Sequence, residues 1–157
     1  MTQFRNNKYI KRDAKFRIIY TGSISIRKGV IYLLKAFSEL NLENSELLLI
    51  GNIESDIEPL IKKFRVSKNI IFKKSIKQLE LSKYYSISDL FITCSIEEGL
   101  SMVQLQAMSC KLPVICTQNS GGNEIIDNGI NGFILPIRNV DILKSKILFL
   151  YENKSIC

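Results

Sequence analysis

From Phe16 onward, short runs of β-branched and aliphatic residues alternate with longer stretches in which apolar residues recur at helical spacing. FRIIYTG predicts a first strand ending at Gly22, and KGVIYLLKAFSEL then places Val30, Leu33, Leu34 and Phe37 on one face of a helix. The alternation continues with ELLLIG as a strand ending at Gly51, DIEPLIKKFR as a helix, NIIFKK as a strand, KQLELSKYYSIS as a helix and DLFITCS as a strand. SMVQLQAMSC predicts a helix with Met102, Leu105 and Met108 inward. LPVICT follows as a buried strand, GGNEIIDNG as a short helical turn, GFILPI as a strand and VDILKSKILFLYEN as a closing helix.

About six strands alternating with about six helices, joined by connections of about 2–6 residues, indicate βα units on a parallel sheet. The expected fold class is therefore α/β: a single Rossmann-like, doubly wound parallel sheet over residues 16–157, with helices on both faces. Residues 1–15 read as a basic tail or linker. A chain of 157 residues, 46% apolar, has enough material for one buried core and too little for two full domains. Its apolar runs are interrupted well before the length of about 20 residues that a membrane span needs. No apolar stretch follows the charged N-terminus as in a secretory signal, so a cytoplasmic location is expected.

Composition narrows the chemistry. Histidine is absent, which excludes Ser-His-Asp and Cys-His nucleophile pairs and every imidazole metal site. Cys94, Cys110, Cys116 and Cys157 form no CxxC pair, and the first three sit in apolar runs where a reduced thiol behaves as a small hydrophobe. Neither a metal nor a cofactor is expected. The net charge of +7 is uneven: residues 1–28 hold eight bases (Arg5, Lys8, Lys11, Arg12, Lys15, Arg17, Arg27, Lys28) and one acid, Asp13, whereas residues 29–157 hold 14 of each. A basic arm can touch RNA, anionic lipid or an acidic partner, but a solvated tail is the preferred reading and no nucleic-acid partner is expected.

In an open parallel sheet, ligands bind beyond the carboxyl ends of the strands. The segments there are 21–29, 51–55, 73–76, 95–101, 117–124 and 136–139, and two stand out. In TGSISIRKG, Gly22 ends a strand and Arg27 and Lys28 precede a helix whose free N–H groups suit a phosphate or diphosphate. The segment is neither a P-loop nor a dinucleotide fingerprint, since GxxxxGK[ST] and GxGxxG are both missing, and an exposed basic turn fits it equally well. In SIEEGLSMVQLQAM, Glu97 and Glu98 sit at a strand end, Gly99 permits a tight turn, and Leu100, Ser101 and Met102 offer N–H groups at a helix start. Gln106, eight positions after Glu98, is near enough to the same end to bond a sugar hydroxyl. Two acids in a row also suit a helix N-terminus as plain dipole partners, and no second carboxylate is fixed opposite them for acid–base work.

Together these segments resemble the C-terminal, donor-binding domain of the GT-B glycosyltransferases, specifically glycosyltransferase family 4. GSISIRKGVIYLLKAF, EEGLSMVQLQAM, CKLPVICTQNSGG and DNGINGFILPIRN occur in the family's order over about residues 16–152. The resemblance implies half of a GT-B fold and transfer of a sugar from a nucleotide-diphosphate donor, with retention of configuration and no metal. It implies that Arg27 and Lys28, with Gly22, Leu100, Ser101 and Met102, hold the donor diphosphate. Glu98 is the implied catalytic residue facing the donor sugar, alongside Gly99, Gly121 and Gly122, and Gln106 holds the ribose. The family's N-terminal acceptor-binding domain is missing from these residues, so the chain reads as a fragment or as a half completed by another chain. Cell-surface polysaccharide, lipopolysaccharide or glycolipid synthesis is the family's common setting, with peripheral contact at the inner membrane face through residues 1–15. A non-catalytic nucleotide-sugar-binding subunit is the alternative.

Three residues depart from the family pattern. Gln106 stands where the second glutamate is usual, Ser23 where an arginine commonly follows the first-strand glycine, and Lys74 where a glycine follows the third strand. An amide still bonds a ribose hydroxyl but adds no charge.

Overall fold

A computed structural model describes residues 13–154. Expectations for residues 1–12 and for Cys157 lie outside the described residues. Six strands form one sheet: β1 (Phe16–Thr21), β2 (Ser45–Ile50), β3 (Ile70–Lys73), β4 (Leu90–Ile92), β5 (Val114–Thr117) and β6 (Gly132–Leu135). They lie in the order β3-β2-β1-β4-β5-β6 with every neighbouring pair parallel. The order reverses between β1 and β4, which opens a crevice at their carboxyl ends.

The strands alternate side chains between two apolar layers. On one face Ile18, Tyr20, Leu47, Leu49 and Ile70 meet α1 (Val30–Leu40), α2 (Glu58–Ile61) and α5 (Val140–Glu152). On the other, Ile19, Leu48, Ile50, Phe91 and Val114 meet Tyr85 of α3 (Gln78–Ser86) and Ala107 of α4 (Met102–Ser109). Helices thus cover both faces, as the alternating pattern predicts. Val30, Leu33, Leu34 and Phe37 are all buried, because α1 carries its apolar residues on one stripe.

The structure corrects three expectations. The connections 22–29 and 93–101 exceed the short loops anticipated, and both belong to the site described below. The second helix is a single α-turn followed by a 3-10 turn, Lys62–Phe64. Met102 is 60% exposed and Leu105 and Met108 are only partly covered, while α4 buries Gln104, Gln106 and Ala107 instead. A hydrogen bond from Gln104 Nε2 to the Ser120 carbonyl at 2.8 Å holds that polar face inward. Arg17, in the predicted first strand, is buried and bonds Glu46 at 2.7 Å, Asp13 at 3.0 Å and the Ile87 carbonyl at 3.0 Å. Those carboxylates hold its proton more tightly than burial loosens it.

Cys94 and Cys116 are buried and Cys110 is partly buried, all as free thiols. Among the described residues, no helix is long and apolar enough to cross a membrane.

Candidate functional site

Two glycines position the turn between β1 and α1. Gly22 has φ +138°, and a Cβ on Gly51 would lie 1.7 Å from the Gly22 carbonyl oxygen, so the chain beyond β1 runs against the chain beyond β2. Hydrogen bonds from Ile24 N to Asn52 O (2.8 Å) and from Glu54 N to Ile24 O (2.9 Å) zip the two together. Gly29 has φ +63°, and a Cβ there would lie 1.9 Å from the Cys94 carbonyl oxygen. Only glycine lets the start of α1 press against the end of β4 in this way. Arg27 and Lys28 are thereby carried to the crevice.

The loop after β4 folds over the same turn. Ile96 N donates to the Arg27 carbonyl at 3.0 Å, and an Arg27 guanidinium N–H reaches the Glu97 carbonyl at 3.4 Å. Glu98 is turned inward: Lys28 Nζ donates to its Oε1, and Ser95 Oγ donates to its Oε2 at 2.7 Å. Its own N–H bonds the Asn119 carbonyl at 2.8 Å, and the Asn119 side-chain amide donates to the Ile96 carbonyl at 2.9 Å. Glu97 points to solvent, so of the two adjacent acids only Glu98 enters the cluster. Tyr20, buried below, donates its hydroxyl to the Ser23 carbonyl at 2.6 Å; burial first, then the negative charge of Glu98, raises its pKa above that of a free phenol.

Behind this pair stands the N-terminus of α4. Ser101 at its N-cap makes no side-chain capping bond, so N–H groups of its first turn remain available to an anion. Gly121, φ +70°, leaves room for this: a Cβ there would lie 2.4 Å from the Leu100 nitrogen. Gly122 is packed just as closely, since a Cβ would meet Cys116 Sγ at 2.2 Å. Gly121 therefore lets its loop run against the backbone at Leu100, Gly122, the next residue, packs against Cys116, and Gly99 has open space around it.

Beside the cluster, a cavity of about 240 Å³ is lined by Thr21, Gly22, Ser23, Gly51, Asn52, Ser75, Ile76 and Val103, among others. Gln106, one turn beyond Val103 on α4, is 7% exposed and its Oε1 has no hydrogen-bond partner. Lys74 lines a second cavity beyond Asn52 and not this one. Sequence reasoning named Arg27, Lys28, Glu98, Leu100, Ser101, Met102, Gly22, Gly99, Gly121, Gly122 and Gln106, and the fold gathers most of them at one end of the sheet. It missed Ser95, Asn119 and Gln104, which hold Glu98 and the glycine loop in place, and the cavity residues Asn52 and Ile76. The last two lie in strand-end segments that the α/β pattern marks, but nothing in the sequence distinguishes them there.

The sequence and fold are shared with known proteins. The chain is 30% identical over 149 residues to a glycosyltransferase of Methanocaldococcus jannaschii, MJ1178, covering 94% of this chain and 41% of the relative. It is 25% identical over 159 residues to N-acetyl-alpha-D-glucosaminyl L-malate synthase of Bacillus anthracis, covering 99% and 41%. The chain spans about two fifths of the length of the curated relatives it matches. Among solved structures, the C-terminal domain of the LpcC glycosyl transferase group 1 protein of Francisella tularensis superposes with TM-score 0.79 at 22% identity, over 90% of this chain and 77% of that one. Sucrose-phosphate synthase of Thermosynechococcus elongatus gives TM-score 0.82 at 22% identity, over 99% and 41%. The sheet and its helices are thus one half of a GT-B fold, and because the family model of glycosyl transferases group 1 matches residues 2–157, the chain belongs to that family.

Proposed function

We propose that this chain is the donor-binding half of a retaining glycosyltransferase. It holds a nucleotide-diphosphate sugar while an acceptor-binding half presents the hydroxyl to be glycosylated. The observation that carries this reading is the meeting of Lys28 with Glu98 in front of the uncapped start of α4. A cation, a carboxylate and free N–H groups at one point suit a ligand that presents both phosphate and sugar hydroxyls. Lys28 and Arg27 neutralise the diphosphate, which gains charge as it leaves the sugar. Glu98, held by Ser95, accepts from the sugar hydroxyls, and Gln106 accepts from a ribose hydroxyl. The Lys28–Glu98 pair holds both side chains in place until the donor arrives and takes Lys28 to its phosphates. No step in this scheme requires a metal.

The span of two fifths of its relatives' length supports the dependence on a second half, which must close over the donor to exclude water and fix the acceptor. Surface polysaccharide, lipopolysaccharide or glycolipid synthesis is the proposed setting, at the cytoplasmic side of a membrane. Calorimetric titration with UDP, GDP and ADP and their sugar conjugates tests the reading, with UDP first because it occupies the related-fold structures of Anabaena HepE. One nucleotide should bind saturably, and Arg27→Ala/Lys28→Ala should weaken it by about tenfold to a hundredfold, the worth of charge-assisted hydrogen bonds of about 1.5–3 kcal/mol. Equal binding by the double variant would remove the diphosphate from this site.

A further inference from the structure

The neutral sum of residues 29–157 conceals a segregated surface. Between residues 62 and 77 the chain carries Lys62, Lys63, Arg65, Lys68, Lys73, Lys74 and Lys77 and no acid at all. All seven are exposed, and among the described residues Arg65 alone in this stretch takes part in an ion pair, with Glu58 at 3.8 Å. They lie within and on either side of β3, one of the two edge strands of the sheet, two strands from β1. Large aliphatic side chains stand exposed in and beside the same stretch: Val66, in the turn before β3, is 83% exposed, and Leu60, Ile71 and Leu79 are also open. Arg65, Lys73 and Lys74 line a cavity of about 420 Å³ with Phe72, Ile53 and, shared with the cavity beside the Lys28–Glu98 cluster, Gly51 and Asn52; none of its described lining residues is a carboxylate.

We propose that this β3 edge is a docking surface for an anionic bilayer. The cations meet phosphoryl head groups, some of which enter the cavity at Arg65, Lys73 and Lys74, while Val66 enters the acyl boundary. Charge complementarity commits the surface to an anionic partner, and the aliphatic side chains commit it to lipid. A single-stranded nucleic acid would need exposed aromatic faces for stacking. Here the rings of Phe64, Phe72 and Tyr84 are instead capped by Lys63 at 5.0 Å, Arg65 at 5.9 Å and Lys73 at 5.6 Å. The site differs from the N-terminal arm, to which the sequence reading assigned membrane contact, and it does not depend on the donor-site assignment.

Flotation of the full 157-residue chain with vesicles of phosphatidylcholine, alone or mixed with phosphatidylglycerol, tests the proposal. Binding should appear only on the mixed vesicles and weaken with salt. Arg65→Glu/Lys73→Glu/Lys74→Glu should lower partitioning by about a hundredfold or more, since each cation near an anionic surface contributes roughly fivefold. Lys73→Arg/Lys74→Arg should leave it unchanged. Val66→Asp, in an exposed turn where folding is unaffected, should cost about tenfold and tests the apolar half separately if the triple reversal lowers the melting temperature. Wild-type partitioning by both the triple variant and Val66→Asp would overturn the proposal. So would loss of binding only in Lys8→Glu/Lys11→Glu/Arg12→Glu, or saturable binding of inorganic phosphate or single-stranded RNA without any vesicle binding.

Discussion

Helices α1 and α4 each follow one of the two loops that build the site, and they bury opposite kinds of side chain. α1 turns Val30, Leu33, Leu34, Ala36 and Phe37 into the core. α4 turns Gln104, Gln106 and Ala107 inward and leaves Met102 exposed. The first is held by apolar burial, so its orientation follows from the spacing of its residues. The second packs Ala107, Val103 and Met108 against the other apolar layer but adds the Gln104–Ser120 hydrogen bond, and the amide oxygens of Gln104 and Gln106 have no partner among the described residues. An unpaired buried acceptor costs about 1–3 kcal/mol, so the polar face of α4 contributes less to stability than the apolar stripe of α1.

The comparison can be broken most severely at Gly29. Gly29→Ala meets both a left-handed backbone and the Cys94 carbonyl, and should lower unfolding stability by about 4 kcal/mol in denaturant titration, among the larger effects of a single substitution. A loss below about 1 kcal/mol would mean that the α1–β4 contact is loose. Leu33→Ala, a cavity in the α1 layer, should cost about 3 kcal/mol in the same assay.

The junction beneath Gly29 also predicts a pH dependence. Burial, with the neighbouring Cys116 second, pushes the Cys94 thiol up from 9.0 to about 12. Between those values the unfolded chain has lost the proton and the folded chain still holds it, so stability should fall as pH rises through that window. Cys94→Ala should flatten the slope, and an unchanged slope would assign it to the other groups that burial shifts in the same direction, the Cys110 and Cys116 thiols and the Tyr20 and Tyr85 hydroxyls.

Substitutions in α4 should separate stability from binding. Gln106→Leu removes an unpaired acceptor and should raise stability by about 1 kcal/mol while weakening nucleotide binding. A variant that is destabilised with unaltered affinity would make Gln106 an ordinary core residue. Met102→Ser, on the open face, should change stability by less than about 0.5 kcal/mol, whereas the same change at an inward position would cost several times more.

Much of the fold was legible because apolar spacing reports burial directly. Six strands, their order of appearance and the inward stripe of α1 all follow from the period of the hydrophobic residues. The candidate site was legible in its segments: Arg27 and Lys28 before one helix, Glu98 and Gly99 before another, and the Gly121–Gly122 pair. The sequence by itself also determined what the chain lacks, histidine above all, and with it several classes of chemistry.

Tertiary structure alone decided which of those residues meet. Lys28 and Glu98 lie 70 positions apart and are joined because β1 and β4 are neighbours at the point where the strand order reverses. The burial of Gln104 and Gln106 was equally hidden, since hydrophobic periodicity cannot show a face held inward by polar contacts. Nor does a charge count that sums to zero reveal the seven cations of residues 62–77. Local pattern encodes what each element does with water; pairing across the sheet, and the separation of charge over the surface, depend on contacts between residues far apart in the chain.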